Sequence, residues 1–471
     1  MNACSPESES LCDHLHEKGA SAVNPDIFRE YDIRGVADRD LADEVVGCIG
    51  KAFGTYAHSF GKKNVVIGRD CRLSSPRLHK ALLSAMLSTG LNVVDVGICP
   101  TPVFYFSLHH LDKEGGMQVT GSHNPPDQNG FKVCIGKSTI FGEEIQKIRK
   151  ACEIGHFVSG KGKVETYDIV PAYQKHVREN IKLDRPLRVI IDAGNGTAGP
   201  VAPKLIRDLG CEVEEMYTEM DGRFPNHHPD PTVPKYIAEI RERVKKEGFD
   251  CGIAYDGDAD RLGIIDDKGD ILWGDQLLIL FGREILSRKP GATIISEVKS
   301  SKTLFDDIAK HGGNPIMWKT GHSLIKEKMR ETKAAVAGEM SGHVFFSDRY
   351  FGFDDAIYAS CRLLEILSKS RKPLSAMLAD VPKMYSTPEI RSECPDDKKF
   401  QVVKELTDRF KKKKYDVVDI DGARVTFEDG WGLVRASNTQ PVLVLRFEAT
   451  SEKRRDEIRA LIEGELKKVL G

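Results

Sequence analysis

The chain has 471 residues, which is too long for a single hydrophobic core, so several domains are expected. Lys and Arg number 69 against 71 Asp and Glu, and this near-neutral balance argues against a surface that coats nucleic acid or binds an anionic membrane. The 11 cysteines form no CxxC pair, which is typical of reduced thiols in a cytosol rather than of a disulfide framework.

The first segment, residues 1–24, predicts a flexible tail that could contain a short helix. It is rich in acids and has no basic stretch followed by an apolar run, so it does not resemble a signal peptide. Nothing further along approaches the length of an apolar membrane span. We therefore expect a cytoplasmic protein with no membrane partner and no nucleic-acid partner.

Three later segments share one pattern of an apolar strand, a polar loop, a helix that ends near Gly, and a second strand. They are residues 64–97, 188–217 and 292–321. Apolar runs such as VVI and RVII are typical of strands buried on both faces, and a strand, helix and strand of this length form a right-handed crossover. Since long insertions separate the segments, the pattern favours three similar α/β domains over one large sheet. We place these domains at residues 25–168, 169–270 and 271–383.

The C-terminal part follows a different pattern. Helices are predicted at residues 400–414 and 452–469, and short strands between them at residues 416–419, 423–427, 432–435 and 442–448. Strands framed by helices indicate a separate α+β domain, which we place at residues 384–471. The predicted fold class is therefore three mixed α/β domains followed by an α+β domain.

The first motif with chemical potential is FREYDIRG, at residues 28–35. Tyr31 and Arg34 stand there among acids and a second arginine. A surface ion-pair cluster explains this motif as well as a binding site does, and nothing local decides between them.

The second motif is VTGSHNPPDQNGFK, at residues 119–132. Its Gly and Pro residues predict a tight, non-helical loop in which the Ser122 hydroxyl can be exposed. His123 beside it could suggest a hydrolase nucleophile, but Asn124 stands where a G-x-S-x-G elbow requires Gly. An ordinary turn is the alternative interpretation.

The third motif, DGDADR at residues 256–261, is the sharpest. In an extended segment, Asp256, Asp258 and Asp260 would direct their carboxylates to one side, and acids so close together require a cation. All-oxygen ligands favour Mg²⁺. A calcium-binding EF-hand loop begins in the same way but needs Gly where Arg261 stands, and an acidic turn between strands is the remaining alternative.

The fourth motif is GEMSGHVFF, at residues 338–346. Glu339, Ser341 and His343 alternate, so they would face one way in an extended segment and could bind sugar hydroxyls. A buried hydrogen-bonded turn would explain the motif equally well.

The fifth motif is RASNTQP, at residues 435–441. Arg435 offers a planar fork for phosphate, and Ser437, Asn438 and Thr439 add further donors. A polar hairpin turn is the alternative.

In this order the five motifs resemble those of the α-D-phosphohexomutase superfamily, over nearly the whole chain after about residue 25. GEMSGH is most similar to the bacterial phosphomannomutase/phosphoglucomutase branch, since the phosphoglucosamine mutase branch usually has Gln where Met340 stands. The resemblance implies four domains around one central cleft. It also implies reversible phosphoryl transfer between positions 1 and 6 of a mannose or glucose phosphate, through a phosphoserine and a hexose 1,6-bisphosphate that serves as intermediate and activator.

The resemblance also implies a role for individual side chains. Ser122 would carry the phosphoryl group and would bind Mg²⁺ together with Asp256, Asp258 and Asp260. The residues implied around the transferring phosphoryl group are Arg34, His123, Lys132 and Arg261. The residues implied to bind the substrate are Tyr31, Lys299, His322, Glu339, Ser341, His343, Arg435, Ser437, Asn438 and Thr439.

Several alternatives stay open. Lys132 and His123 are both candidates for the general base. A phosphoglucosamine mutase, or a metal-dependent sugar phosphatase, are the alternative activities. Ala259 stands where the family often has Gly, and we expect a bend with ordinary backbone angles there; Gln440 also departs from the family pattern.

The expected partners are phosphohexose substrates. We expect a monomer, with a dimer as the alternative. Because the phosphate motif lies in a separate domain near a Pro-rich junction, we also predict that the C-terminal domain closes over the cleft by a hinge motion.

Overall fold

The computed structural model describes residues 23–438 and 440–470. The predicted tail up to residue 22 and Thr439 lie outside the described residues. Within the described part the chain forms four β-sheets, each packed with helices. No helix in that part is long and apolar enough to cross a membrane.

The N-terminal unit is built on a seven-stranded sheet. Its strands are β1 (Ile33–Val36), β2 (Asn64–Arg69), β3 (Asn92–Ile98), β4 (Gly115–Val119), β5 (Gln128–Ile135), β6 (Ser138–Thr139) and β7 (Val164–Thr166). Its helices are α1 (Ala37–Asp40), α2 (Asp43–Ser59), α3 (Ser75–Ser88), α4 (Thr101–His110) and α5 (Glu143–Ile154). The strand order is β1-β5-β4-β2-β3-β7, with β6 paired to β5.

The second unit has a five-stranded sheet with the order β12-β11-β10-β8-β9. The elements that build it are α6 (Val170–Asn180), β8 (Arg188–Asp192), α7 (Ala202–Asp208), β9 (Glu212–Met216), α8 (Ala238–Glu247), β10 (Cys251–Tyr255), β11 (Leu262–Asp266) and β12 (Ile271–Leu272).

The third unit has a four-stranded sheet with the order β14-β13-β15-β16. Its elements are α9 (Gly274–Arg288), β13 (Thr293–Glu297), α10 (Lys302–Lys310), β14 (Asn314–Trp318), α11 (His322–Thr332), β15 (Val336–Gly338), β16 (Val344–Phe346) and α12 (Ala356–Lys369).

The C-terminal unit has an antiparallel sheet with the order β17-β22-β21-β20-β19, and β18 also pairs with β22. Its elements are β17 (Tyr385–Ser386), β18 (Ile390–Glu393), α13 (Lys399–Lys412), β19 (Asp416–Val418), β20 (Ala423–Phe427), β21 (Gly430–Ala436), β22 (Val442–Ala449) and α14 (Glu452–Leu470). The predicted fold class of three α/β units and an α+β unit is confirmed.

One arrangement repeats in the first three sheets. The segments β2–α3–β3, β8–α7–β9 and β13–α10–β14 each place two parallel strands side by side, as the sequence predicts. On the other side of the first strand lies a third parallel strand, which is β4, β10 or β15. That strand continues through a hairpin into an antiparallel neighbour, which is β5, β11 or β16.

Three of the five motifs singled out in the sequence lie on these hairpins. Ser122 lies between β4 and β5, the DGDADR segment between β10 and β11, and the GEMSGH turn between β15 and β16. RASNTQP lies on the hairpin between β21 and β22. Equivalent hairpins therefore carry a different chemical group in each repeat.

Local sequence explains where the helices begin and which face they bury. Helix α10, for example, starts after Ser301, whose hydroxyl accepts a hydrogen bond from Thr303 N. Leu304 and Ile308 on one of its faces are buried. At the level of the whole molecule, one hydrophobic cluster runs from α4 through β8 and β10 to α9 and α12, so the three α/β units share a core. The C-terminal unit has a cluster of its own.

Candidate active site

The Ser122 hydroxyl joins the first unit to the second. Ser122 is 2 % exposed, and its Oγ donates a hydrogen bond of 2.8 Å to Asp256 Oδ2 on the β10–β11 hairpin. The same oxygen lies 3.1 Å from His123 Nδ1. Ser122 has a φ of 48°, in the left-handed region that side chains other than Gly seldom adopt. The surrounding structure must therefore hold this backbone in place.

Arg72 provides that support, and the sequence interpretation missed it. Its side chain is buried and paired with Asp70, with 3.3 Å between Nε and Oδ2. Its two terminal nitrogens donate four hydrogen bonds of 2.5 to 2.9 Å to backbone carbonyls of the Ser122 hairpin. Those carbonyls belong to Ser122, Asn124, Pro125 and Gln128. An arginine in the loop after a strand carries no local signal of this role.

The three aspartates of the DGDADR segment converge as predicted, but by a different backbone path. The segment is a turn rather than an extended stretch, and ligand oxygens of Asp256, Asp258 and Asp260 all lie within 4.8 Å of one another. Ala259 has a φ of 61°, so the expectation of ordinary backbone angles was wrong. The left-handed residue reverses the chain and brings the last carboxylate back toward the first two.

These carboxylates fit a divalent cation. All three residues are at most 1 % exposed, and Asp258 Oδ1 has no hydrogen-bond partner among the described residues. Burial, reinforced by the charges of Asp260 and Asp258, raises the pKa of Asp256 well above its ordinary value. A bound divalent metal would satisfy the orphaned Asp258 oxygen and relieve this repulsion.

Cationic side chains surround the Ser122 hydroxyl and the acids. Lys132 Nζ lies 3.1 Å from Asp258 Oδ2 and also contacts Asp260 Oδ2. Burial alone would lower the pKa of Lys132, but these two acids raise it. Arg34 donates to Asp32 at 2.6 Å and to Asn124 Oδ1 at 2.9 Å.

His123 differs from these cations. Burial, together with the charges of Arg261 and Arg34, lowers the pKa of His123 well below its ordinary value, so its imidazole is neutral. Arg261 follows the acids directly, and its backbone N–H donates to Asp256 Oδ1 at 3.1 Å.

The GEMSGH segment is a turn, not the extended stretch in which alternate residues share a face. Gly342 N donates to Glu339 O at 3.1 Å and has a φ of 88°. Even so, His343 Nδ1 lies 2.9 Å from Ser341 Oγ and 3.1 Å from Glu339 Oε2. Its Nε2 lies 3.3 Å from Asp260 Oδ1, which connects the third unit to the aspartates. Burial would lower the pKa of His343, but Asp260 and Glu339 raise it to about 9.

His322 and Tyr31 connect this turn to the N-terminal unit. The His322 ring lies 5.6 Å from the rings of both His343 and Tyr31, measured between centroids. Burial, with the charge of Lys326, lowers the pKa of His322 well below its ordinary value. Lys299 Nζ lies 3.5 Å from Glu297 Oε2 and 3.3 Å from Glu389 Oε2.

The RASNTQP hairpin brings in the C-terminal unit. Asn438 Nδ2 donates to the Tyr31 hydroxyl at 2.8 Å, across 407 residues of sequence. The Arg435 guanidinium is paired with Asp421, with 3.0 Å between Nε and Oδ2. Ser437 Oγ accepts from Gln440 N at 3.2 Å. Thr439 lies outside the described residues, so its predicted contact is not described.

The structure thus links residues from all four hairpins into one set, although the role of each remains a prediction. Acids that the sequence interpretation missed hold members of this set in place: Asp421 pairs with Arg435, and Asp354 accepts from Lys326 at 3.0 Å and lies 3.8 Å from His322 Nδ1. Neither acid stands in a motif that would have singled it out.

Comparison with known proteins gives consistent matches along the chain. Family models for phosphoglucomutase/phosphomannomutase match in four segments: the alpha/beta/alpha domains I, II and III at residues 25–157, 171–269 and 273–385, and the C-terminal domain at residues 389–464. The chain is 47 % identical over 450 residues to a phosphomannomutase/phosphoglucomutase of Pseudomonas aeruginosa, which covers 96 % of this chain and 97 % of that protein.

Two further comparisons agree. A phosphoglucomutase of Neisseria gonorrhoeae is 45 % identical, with 94 % of this chain and 98 % of that protein covered. The crystal structure of a phosphoglucomutase/phosphomannomutase family protein from Burkholderia thailandensis superimposes with a TM-score of 0.90 at 45 % identity, covering 95 % of this chain and 98 % of that one.

Proposed function

This chain belongs to the phosphoglucomutase/phosphomannomutase family, and on that premise we propose that Ser122 carries the phosphoryl group exchanged between positions 1 and 6 of a mannose or glucose phosphate. The observation that carries the assignment is the 2.8 Å contact of the Ser122 hydroxyl with Asp256, inside a cluster of buried acids and cations. The enzyme is a phosphotransferase of the isomerase class.

The reaction needs two phosphoryl transfers at one site. In the first, the bond between phosphorus and Ser122 Oγ breaks while phosphorus bonds to a free sugar hydroxyl oxygen; that hydroxyl gives its proton to a base, and Ser122 Oγ takes up a proton. The resulting hexose 1,6-bisphosphate turns over; the bond between its other phosphorus and the sugar oxygen breaks as phosphorus bonds to Ser122 Oγ, the Ser122 proton passes to a base, and the sugar oxygen takes up a proton. Because such transition states are loose, alignment and charge neutralisation matter more than covalent assistance. Arg34, Lys132 and Arg261 are proposed to stabilise the equatorial oxygens.

For the base that accepts the Ser122 proton, the geometry favours His123 over Lys132. His123 Nδ1 lies 3.1 Å from Ser122 Oγ, within hydrogen-bond reach. The Lys132 ammonium is paired with Asp258 and Asp260, and these two acids stabilise its protonated form. We assign Lys132 an electrostatic role instead.

The substrate's other end is proposed to bind to the third and fourth units. Glu339, Ser341 and His343 offer a carboxylate, a hydroxyl and an imidazole to sugar hydroxyls. The side chains proposed around the non-reacting phosphate are Arg435, Ser437, Asn438 and Thr439. Lys299 and His322 are proposed to line the sugar and phosphate site, and Tyr31 to bind the substrate. Since the same pocket must accept either phosphate in turn, contacts at this end should not distinguish position 1 from position 6.

We propose that the aspartate site holds Mg²⁺, which when bound offsets charge on phosphoryl oxygens. Removal of metal with a chelator should abolish turnover, and added Mg²⁺ should restore it. Asp258→Asn should raise the Mg²⁺ concentration needed for half-maximal activity by at least tenfold, because a carboxylate oxygen is lost from the site. Asp416→Asn, which changes an exposed residue of β19, is the matched control. Full activity in metal-free protein would contradict the proposal.

The function itself is tested by a coupled assay with mannose 1-phosphate, glucose 1-phosphate and glucosamine 1-phosphate, each with added hexose 1,6-bisphosphate. We expect turnover of the first two, and Ser122→Ala should lose nearly all of it while the exposed control Ser84→Ala retains it. Release of inorganic phosphate at the rate of substrate loss would identify a phosphatase instead. A clear preference for the glucosamine ester would identify a phosphoglucosamine mutase.

We further propose domain divisions near residues 169, 271 and 384, in a cytoplasmic monomer. The matched family segments, which begin at residues 25, 171, 273 and 389, support these divisions. Limited proteolysis should cut near them, and sedimentation should give the mass of one chain.

A further inference from the structure

A cavity lies between the first and third units, outside the candidate active site. It has a volume of about 340 Å³, and its walls come from β6, α11 and the loop before α12. None of the residues proposed for catalysis, metal binding or substrate binding lines it. The Thr139 and Ser323 hydroxyls, 3.2 Å apart, join the two units within it. We call it the β6–α11 cavity.

One wall of the β6–α11 cavity is cationic. Lys326, Arg330 and Lys333 follow one another at spacings of four and three residues, so they share a face of α11 and its C-terminal end. Among the described residues, Arg330 and Lys333 have no carboxylate within ion-pair distance, and no acid lines the cavity. Arg330 donates to the Ser138 hydroxyl on β6.

Aromatic side chains also line the cavity. Phe351 and Phe353 line it, and Phe351 is 40 % exposed. The His109 ring stacks on Phe351 at 4.5 Å, which holds the phenyl ring in place. This large exposed apolar ring therefore lines the same cavity as Arg330 and Lys333, which have no acidic partner among the described residues.

Cations in the last turn of a helix are common, because they offset its partial negative charge. That role does not explain the cavity, the hydroxyls across it or the exposed ring. A bare phosphate would leave Phe351 in water, and an apolar ligand would leave Arg330 and Lys333 without an anionic partner. The volume is within the range of small-molecule sites.

We propose that the β6–α11 cavity is a non-catalytic site for an organic anion in which phosphate is joined to a planar ring, the chemistry of a nucleotide. The phosphate is bound by Arg330 and Lys333, with hydroxyls of Ser138 and Thr139 beside it. The ring packs on Phe351. Lys326 connects this site to the candidate active site, because its Nζ lies 3.0 Å from Asp354, whose carboxylate is grouped with those of Asp260 and the imidazole of His343.

Calorimetric titration of ADP into the full chain tests the proposal, with saturating glucose 1-phosphate present to occupy the catalytic cleft. We expect one ADP per chain. The double variant Arg330→Glu/Lys333→Glu should weaken ADP binding by at least tenfold, because charge-assisted contacts become repulsive. Mutase turnover without ADP should not change, since neither residue belongs to the active site.

The matched control is Lys147→Glu/Lys150→Glu, which makes the same charge change at two exposed positions of α5. It should bind ADP like the unmodified chain. Phe351→Ser should weaken ADP binding and leave the binding of pyrophosphate unchanged. Hydrogen exchange of the unmodified chain, which needs no variant to fold, should show ADP protecting α11 and β6.

Three results would overturn the proposal. They are no ADP binding at millimolar concentration, equal ADP affinity in the two double variants, and ADP protection confined to the catalytic hairpins. Equal affinity for ADP and pyrophosphate in the unmodified chain would overturn the assignment of the ring to Phe351.

Discussion

Arg72 shows how a single buried side chain can determine the position of a reactive group. The Ser122 hairpin has few backbone bonds of its own, and the left-handed residue at its tip costs roughly 1–2 kcal/mol. A guanidinium has five donors in a rigid fork, and Arg72 directs four hydrogen bonds from it to this hairpin. The placement of Ser122 Oγ against Asp256 therefore depends on a residue outside the set proposed to bind substrate and metal.

Arg72→Lys should lower kcat roughly 10- to 100-fold and leave KM nearly unchanged. Lys keeps the charge but has too few donors, in the wrong geometry, for four carbonyls, and each buried carbonyl left without a donor costs about 1–3 kcal/mol. The β15–β16 and β21–β22 hairpins, which are proposed to bind the substrate, are not altered, so substrate binding should persist. Steady-state kinetics, together with the phosphorylated fraction of Ser122 by intact mass, measure the effect.

The control is Arg77→Lys, a half-buried arginine of helix α3 in the same unit whose partners are Ala37, Asp38, Leu41 and Asp43 rather than the Ser122 hairpin. It should keep normal values of kcat and KM. If Arg72→Lys lost stability but retained normal kcat at a temperature where it is folded, Arg72 would be structural only, and the positioning role would be wrong.

At residue level, the sequence could predict Ser122 and the three aspartates, because their chemistry and spacing are visible in a few adjacent letters. Arg72 and Asp421 could not be predicted, since their partners lie far away in the chain. The backbone angles of Ala259 were wrongly predicted for a related reason. Its φ of 61° is imposed by the requirement that Asp260 turn back toward Asp256, not by its own preference.

At the scale of elements, the repeated hairpin explains why the motifs occur in this order. Each α/β unit presents the turn after its third parallel strand, and the three units present the Ser122 hydroxyl, three aspartates and a polar turn there. The crossovers were predictable because long apolar runs and helical spacing are strong signals. The hairpins were not recognised as equivalent, because a short turn such as the one around Gly342 has no periodicity to read.

The contact between α4 and the loop before α12 should make stability depend on pH. His109 stacks on Phe351 at 4.5 Å and lies 5.8 Å from Phe353. Burial, with a further contribution from Lys137, lowers the pKa of His109 to about 4. Between pH 6.5 and 4 the unfolded chain binds a proton at this position and the folded chain does not, so the free energy of unfolding should fall as the pH falls through that range. Above about pH 6.5 this contribution is constant.

Urea unfolding at pH 7, 5.5 and 4.5 measures this dependence. His109→Phe keeps an aromatic ring against Phe351 and removes the titration, so its stability should fall less between pH 7 and 4.5 than that of the unmodified chain. Some dependence should persist, because burial also lowers the pKa of His176, which stacks on the same ring. His156→Phe, at an exposed position, should keep the original slope. Equal slopes for the His109 variant and the unmodified chain would contradict the argument.

At the scale of the whole molecule, the C-terminal unit holds the loop that carries Lys299. Arg424 donates to the carbonyls of Val298 and Ser300, and Arg446 donates to the carbonyl of Lys299 at 2.9 Å. Glu448 accepts from the Ser301 hydroxyl at 2.8 Å. The sequence predicted four units, because each has its own pattern, but not these contacts, which depend on the packing of two units. They provide the link through which a hinge motion of the C-terminal unit would reach the proposed substrate site.

Arg446→Ala should therefore weaken substrate binding more than it slows the chemical step. Without its donor, the Lys299 carbonyl is left unsatisfied and the C-terminal unit is less firmly docked. A loss of about 1.5–3 kcal/mol in the free energy of substrate binding would raise KM roughly tenfold or more. The change in kcat should be smaller, since Ser122 and the aspartates are untouched. Small-angle scattering should show a larger radius of gyration for the free variant, and bound hexose bisphosphate should reduce the difference.

The control Arg459→Ala removes an arginine that pairs with Glu463 within helix α14, and it should change neither KM nor the radius of gyration. If Arg446→Ala kept both its KM and its radius of gyration, the position of Lys299 would not depend on the C-terminal unit, and closure would have to act through another contact.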